Sequence, residues 1–249
     1  MNALSSVQRR VDAAAQVFVD DIAVPELRSA ELHHLRRVRR LKDGEQVVVA
    51  DGSGAWRFCR LIPAGLEVDG EIELEPAPGP LLTVAFAPVK GERSEWAVAK
   101  LTELGVDRIA PLLTERAAVR WQGASGAKAL ERWRRVADEA CSQSRRVRRP
   151  EILTPIVPAT LVGVDGAALA VLGGPALKRD CRIIAVGPEG GWSPAERDLG
   201  LDEVGLGTGL LRSETAAVAA GVLFGASRAG TVAAMDPSEA PAPAEGGRR

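Results

Sequence analysis

The chain reads as an α/β protein in two parts, a small strand-rich module followed by a larger unit with a mostly parallel sheet. Three observations predict this. Residues 17–74 carry short β-branched or alternating runs broken by turn residues, whereas residues 82–224 alternate between strand and helix patterns. Between them stands the run Pro76, Pro78, Gly79, Pro80, which reads as a linker.

Taken in order, residues 1–14 read as a flexible extension with no apolar core, and so not as a secretory signal. A short basic helix is expected over Glu31–Leu41, closed by Lys42-Asp43-Gly44. Gln46–Ala50 and Trp56–Leu61 read as a hairpin around Asp51-Gly52-Ser53-Gly54, and Val68, Ile72 and Leu74 as a further strand. In the second part, strands are expected at Leu82–Ala87, Arg108–Leu113, Ile152–Val157, Ala168–Leu172, Arg182–Val186 and around Val204–Leu206. Helices are expected over Glu92–Leu104, with Trp96, Ala99 and Leu104 at helical spacing and Gly105 as the cap, then over Lys128–Ser144, from Ser193, and over Ser213–Phe224. The Pro/Ala/Glu-rich end, residues 231–249, reads as a disordered tail.

Composition narrows the function. The 249 residues are 46% hydrophobic and 26% charged, with a formal net charge of -1. No apolar run approaches the ~18 residues that span a bilayer. Cys59, Cys141 and Cys181 lie far apart, without CxxC spacing or partner histidines, so buried free thiols in a reducing cytoplasm are expected and neither disulfides nor a metal site. Arginine far outnumbers lysine and clusters as Arg36, Arg37, Arg39, Arg40 and as Arg145, Arg146, Arg148, Arg149. Clustered guanidiniums suit phosphate contacts, so RNA is the expected partner, against the plainer reading of arginines on solvated faces.

Two loops carry chemistry. Gly187-Pro188-Glu189-Gly190-Gly191 follows the apolar strand Ile183–Val186, where glycines let backbone groups approach a ligand. Ser193-Pro194-Ala195-Glu196 then has capping-box spacing with proline at the first helical position. No Gly-Lys-Ser/Thr follows, which disfavours a nucleoside triphosphate. The second loop, Leu206-Gly207-Thr208-Gly209-Leu210-Leu211-Arg212, leads into Ser213, Glu214 and Thr215, which can cap a helix. Glu203-Val204-Gly205-Leu206-Gly207-Thr208-Gly209 mimics the nucleotide loop of Rossmann-type methyltransferases. That loop opens its fold, however, and here only one helix remains before the tail.

Together these blocks resemble the 16S rRNA uridine-N3 methyltransferase family, over about residues 17–228. The resemblance rests on His33-His34-Leu35-Arg36-Arg37-Val38-Arg39 with Asp43-Gly44 and Asp51-Gly52, on Lys90-Gly91-Glu92 and Glu103-Leu104-Gly105-Val106, and on Pro111-Leu112 with Glu115-Arg116. It continues through Glu139–Arg146 with Pro150-Glu151-Ile152, and is most specific in the two glycine loops. Thr208 stands where the family usually has proline, Ser213 where it has threonine, and Gly173-Gly174 where a more polar pattern is common.

The resemblance implies a PUA-like RNA-binding β-barrel over residues 15–75, a linker over 76–80 and a SPOUT-type α/β trefoil-knot domain over 81–230. It implies a cytoplasmic homodimer that uses S-adenosylmethionine and acts on 16S rRNA, within the small ribosomal subunit, without a metal. Leu172, Gly187, Pro188, Glu189, Gly190, Gly191, Leu206, Gly207, Leu211, Arg212 and Thr215 would surround the cofactor. Arg212 is the first candidate to stabilise a uridine deprotonated at N3, with a structural ion pair as its alternative role. Glu189 would accept the proton or bind a backbone amide. Arg36, Arg37, Arg39, Arg40, Arg145 and Arg146 are the expected RNA contacts, and His33 and His34 are RNA contacts or surface. Two other readings stand beside this one: a related SPOUT enzyme methylating tRNA ribose 2′-oxygens, and a non-catalytic RNA-binding assembly factor.

Overall fold

The computed structural model describes residues 3–119, 121 and 123–232, with side chains from residue 7 onward. The expected tail therefore lies almost wholly outside the described residues. Strand β1 (Ala15–Phe18) runs parallel to β2 (Gln46–Ala50), which pairs antiparallel with β3 (Ala55–Ile62). β4 (Gly65–Val68) and β5 (Glu73–Leu74) both pair with β3. Side chains alternate across β2. Val48 and Ala50 pack with Trp56 and Phe18 on one face, while Val47 packs with Leu35 and Leu61 on the other. The expected basic helix is α2 (Ser29–His33), which continues as a π-helical turn over His34–Val38. The hairpin turn is held by Asp51, whose Oδ1 accepts from the Ser53 and Ala55 N–H groups at 2.7 and 3.1 Å.

The second sheet is wholly parallel and six-stranded. It comprises β6 (Thr83–Phe86), β7 (Arg108–Pro111), β8 (Glu151–Ile152), β9 (Ala167–Ala170), β10 (Ile183–Val186) and β11 (Asp202–Val204), in the order β11-β9-β10-β6-β7-β8. Helices cover it: α3 (Arg93–Glu103), α4 (Gly123–Ser144), the single turn α5 (Pro194–Arg197) and α6 (Ser213–Ala229). β6, one of the two central strands, reads Thr-Val-Ala-Phe and is buried along its whole length, as a parallel strand covered on both faces must be. One face packs Val84, Phe86 and Ile184 against Leu101, Trp133, Ala217 and Phe224. The other packs Ala85, Ala110 and Leu169 against Leu161 and Trp192.

Several expectations change. Residues 1–14 are not a loose extension, because α1 (Ala3–Val11) forms there. Its Arg10 is 1% exposed, pairs with Glu75 at 2.6 Å and lies over the Trp56 ring at 4.9 Å, so a cation–π contact and an ion pair hold the helix down. Trp96 is 48% exposed instead of facing the core. The buried stripe of α3 is Ala97, Val98 and Leu101. A Cβ added to Gly221 of α6 would lie 2.8 Å from Leu101, so the two helices meet too closely for an indole. β8 stops at Ile152, and only an isolated bridge from Leu112 to Ile156 follows.

The two parts share a core. Cys141 and Val147 of the larger unit pack with Ala13, Phe18, Val48 and Trp56, and Gln16 Nε2 donates to the Arg146 carbonyl at 2.7 Å. Arg148 reaches the Glu75 carbonyl, and the hairpin tip at Gly52 accepts from the Arg149 N–H at 2.9 Å. All three cysteines are buried and free. Burial pushes each thiol up to about 11, so they stay protonated and unreactive near neutral pH.

Candidate active site

The carboxyl ends of β9, β10 and β11 lie side by side at one edge of the parallel sheet, where open α/β sheets bind ligands. The loops leaving them, residues 171–174, 187–193 and 205–212, enclose a cleft of about 340 Å³. Its size is that of a small-molecule site, and its walls are mostly apolar.

Each loop is braced from behind. Trp192 is 8% exposed and donates its indole N–H to the Ala170 carbonyl at 2.9 Å, tying the second loop to the end of β9. Gly187 packs closely on this indole, since a Cβ there would sit 3.0 Å from the Trp192 ring. Arg116 donates to the Gly190 and Trp192 carbonyls at 3.2 and 3.0 Å. The Glu196 carboxylate accepts from the Glu115 N–H at 2.9 Å and from the Ser193 N–H at 2.8 Å, closing a capping box at the start of α5. The first and third loops touch backbone to backbone. A Cβ on Gly205 would lie 2.3 Å from the Gly174 carbonyl oxygen, and the Gly205 N–H donates to Pro175 O at 2.7 Å.

Of the predicted residues, Leu172, Gly187, Pro188, Glu189, Gly191, Leu206, Gly207 and Leu211 line the cleft, while Gly190, Arg212 and Thr215 do not. Gly190 backs onto Arg116: a Cβ added there would lie 3.3 Å from the Arg116 Cβ. Thr215 is exposed on α6. Arg212 is exposed at the N-cap of α6, with no side-chain partner among the described residues, so the ion pair that was its alternative role does not form. The lining residues that the sequence reading missed include Trp192, Arg197, Ser213 and Ala216. For Trp192, the position between the glycine loop and the capping box was the available signal.

A charged cluster stands beside the cleft. Arg93 Nη1 bridges Glu214 Oε1 at 2.9 Å and Glu189 Oε1 at 3.3 Å. Hydrogen bonding to Glu214 and then Glu189 holds the Arg93 guanidinium above its ordinary value. Sequence reasoning gave Arg93 no role and read Glu214 only as a cap.

The arginine clusters divide. Arg37 and Arg40 are exposed and have no side-chain partner among the described residues. Arg36 pairs with Asp43 at 2.6 Å and donates to Ile62 O, and Arg39 reaches Ala14 O at 3.3 Å. The second cluster corrects the expectation of RNA contacts. Arg145 donates to Ala13 O at 2.7 Å, and Arg146 donates to Thr102 O and Val106 O at 2.6 and 3.1 Å. Arg145 thus satisfies a carbonyl of the smaller part and Arg146 two carbonyls within the larger one, and burial lowers both guanidiniums from their ordinary values.

Comparison with known proteins gives this geometry a family. Residues 76–224 match the model of an RNA methyltransferase domain, and residues 27–69 match that of an RNA methyltransferase PUA domain. Ribosomal RNA small subunit methyltransferase E of Mycobacterium bovis is 36% identical over 225 residues, covering 81% of this chain and 86% of its own. The crystal structure of the enzyme of that name from Neisseria gonorrhoeae, bound to S-adenosyl methionine, superposes with a TM-score of 0.73 at 27% identity, over 84% of this chain and 96% of its own. A putative methyltransferase from Legionella pneumophila, also in complex with bound cofactor, gives 0.72 at 26% identity, over 85% and 97%. With both domains matched in order and the braced cleft between β9, β10 and β11 in place, the chain belongs to the ribosomal RNA small subunit methyltransferase E family.

Proposed function

We propose that the chain binds S-adenosylmethionine in the cleft and methylates N3 of a uridine in small-subunit ribosomal RNA. The observation that carries this is the cleft itself, with glycine backbone and apolar side chains on most of its walls, and with Arg197, its one cationic lining residue among the described residues, already paired with Glu203 at 2.6 Å. Gly207, at φ +137°, has open space where a Cβ would stand, so a flat or extended ligand can lie against its backbone. These features suit a nucleoside bearing a sulfonium chain better than a nucleotide phosphate. When bound, the cofactor supplies an electrophilic methyl group. The protein's share is to align N3 and favour its anion, since a neutral uracil nitrogen is a poor nucleophile. Alignment contributes ~7–11 kcal/mol in favourable cases. An unpaired guanidinium at Arg212 suits the charge that develops on the uracil oxygens. Methylation of small subunits followed by mass spectrometry of the RNA tests the assignment. The expected product is N3-methyluridine, and methylation only on ribose would overturn it.

The strand order supports the knotted topology that the resemblance implies, because β10 inserts between β6 and β9 before the chain returns past β9 to β11. The outward face of α6 supports a homodimer. Thr215, Val218, Ala219, Val222, Ala226 and Ala229 recur at helical spacing without a charge, and Val222 is 47% exposed. Val222→Arg is expected to yield a monomer by sedimentation, and an unchanged dimer would exclude this face. RNA binding falls to the smaller domain, through Arg37 and Arg40. Arg37→Ala is expected to weaken RNA binding and to reduce the slope of log K against log salt by about one. An unchanged slope would remove Arg37 from the interface.

A further inference from the structure

We propose that Arg93 is a second guanidinium of the uridine site and that Glu214 is the positioning residue that holds it there. The inference rests on the N3-methylation reading and names how the substrate anion is held. Arg93 opens α3, just past the loop that leaves the carboxyl end of β6, and β6 pairs with β10, whose own loop forms the cleft. It therefore stands at the edge of the sheet where the cofactor loops converge. Its side chain is 40% exposed. Nη1 is engaged by Glu214 and Glu189, Nε donates to the Lys90 carbonyl at 3.3 Å, and Nη2 has no partner among the described residues.

Glu214 is the unusual member. Its side chain is 8% exposed and its Oε2 is buried without a hydrogen bond. A helix start favours negative charge, but an exposed carboxylate would meet that preference without desolvation. A buried acceptor left unbonded is costly and calls for a reason. Oε2 offers Arg93 a second acceptor, so that the pair can close into a two-pronged guanidinium–carboxylate contact. Glu189 is 57% exposed and holds Arg93 at the longer distance, which makes it the contact that opens.

The chemistry gives such a guanidinium its task. Uracil N3 lies between two carbonyl oxygens, O2 and O4. The N3–H proton leaves to solvent, the N3–C bond forms, and the S–C bond of the donor breaks with its electron pair remaining on sulfur. Before methylation, negative charge is shared by both oxygens, on opposite sides of N3. Arg212 immediately precedes α6, and Glu214 in its first turn grips Arg93. One helix start thus organises two guanidiniums from different elements, one for each oxygen.

The test is single-turnover methylation of small subunits at saturating S-adenosylmethionine, from neutral to alkaline pH, with thermal denaturation and cofactor affinity of the same proteins. Arg93→Ala is expected to lower the rate by about 10²–10³ near neutral pH. The deficit should shrink as pH rises, because a cation that favours the uridine anion matters less once solvent has removed the proton. Arg93→Lys should restore part of the rate. Glu214→Gln should show a smaller deficit with the same pH trend. An unchanged rate in the Arg93 variants, or a deficit that is flat with pH and follows melting temperature or cofactor affinity, would overturn the proposal. Should Glu214→Gln fail to fold, the half-exposed Arg93 variants still decide it. If the parent protein yields no N3-methyluridine, the functional reading falls and this one with it. N3-methylation by the parent together with normal Arg93 variants overturns this inference alone.

Discussion

Arg212→Ala is expected to slow methyl transfer by roughly 10²–10³ at saturating cofactor, the usual cost of removing one donor aimed at developing charge. Melting temperature should hardly move. Arg212 is exposed, and its side chain has no partner among the described residues; surface substitutions of that kind usually change stability by less than about 0.5 kcal/mol. Cofactor affinity should also stay close to the parent value, because Arg212 does not line the cleft, although Leu211 and Ser213 on either side do. Arg212→Lys keeps the charge and loses the planar fork, and should fall between the parent and alanine. The measurement is single-turnover methylation of ribosomal subunits beside thermal denaturation and calorimetry with S-adenosylmethionine. A normal single-turnover rate would remove Arg212 from the chemistry. A rate loss matched by a loss of cofactor affinity would make it a cofactor-loop residue instead.

Much of this site was legible because its determinants are local. Gly187–Gly191 after an apolar strand, and Ser193-Pro194-Ala195-Glu196 at capping spacing, state a loop held between a strand and a helix in ten consecutive residues, and the structure builds both. The parallel sheet was equally legible, since β6 and β10 are continuous apolar runs. What escaped depends on contacts between distant segments. The orientation of α3 is set by its close approach to Gly221, more than a hundred positions away, so spacing alone put Trp96 on the wrong face. Arg146 looks like its neighbours in any window, and only the carbonyls of Thr102 and Val106 make it a structural residue. Val7 and Val11 of α1 stay exposed, and the helix is held instead by Arg9 and Arg10 over Trp56, a pairing that no local pattern announces. The Arg93–Glu214 pair spans 121 positions and was invisible for the same reason.

Gly205→Val should be the most damaging single change near the cleft, although no ligand need touch that residue. The Cβ that any side chain brings would stand 2.3 Å from the Gly174 carbonyl oxygen and push apart the loops that follow β9 and β11. Backbone is the obstacle on both sides, so no rotamer change relieves the clash. The 2.7 Å hydrogen bond from the Gly205 N–H to Pro175 O must lengthen as the loops separate. Overpacking of this kind typically costs about 1–3 kcal/mol, and a lost hydrogen bond adds about 1 kcal/mol. Those loops carry Leu172 on one side and Leu206 and Gly207 on the other, all on the cleft wall, so the strain falls on the binding geometry as well as on the fold. Since 1.4 kcal/mol is tenfold in affinity, S-adenosylmethionine should bind at least tenfold more weakly, with a melting temperature several degrees lower. Gly79→Ala serves as the control, because its Cβ would meet nothing within 4 Å and its backbone is not left-handed. Calorimetry and thermal denaturation of both variants decide the matter. If Gly205→Val binds cofactor like the parent, the two loops do not act as one wall, and the brace between Gly174 and Gly205 has no part in shaping the site.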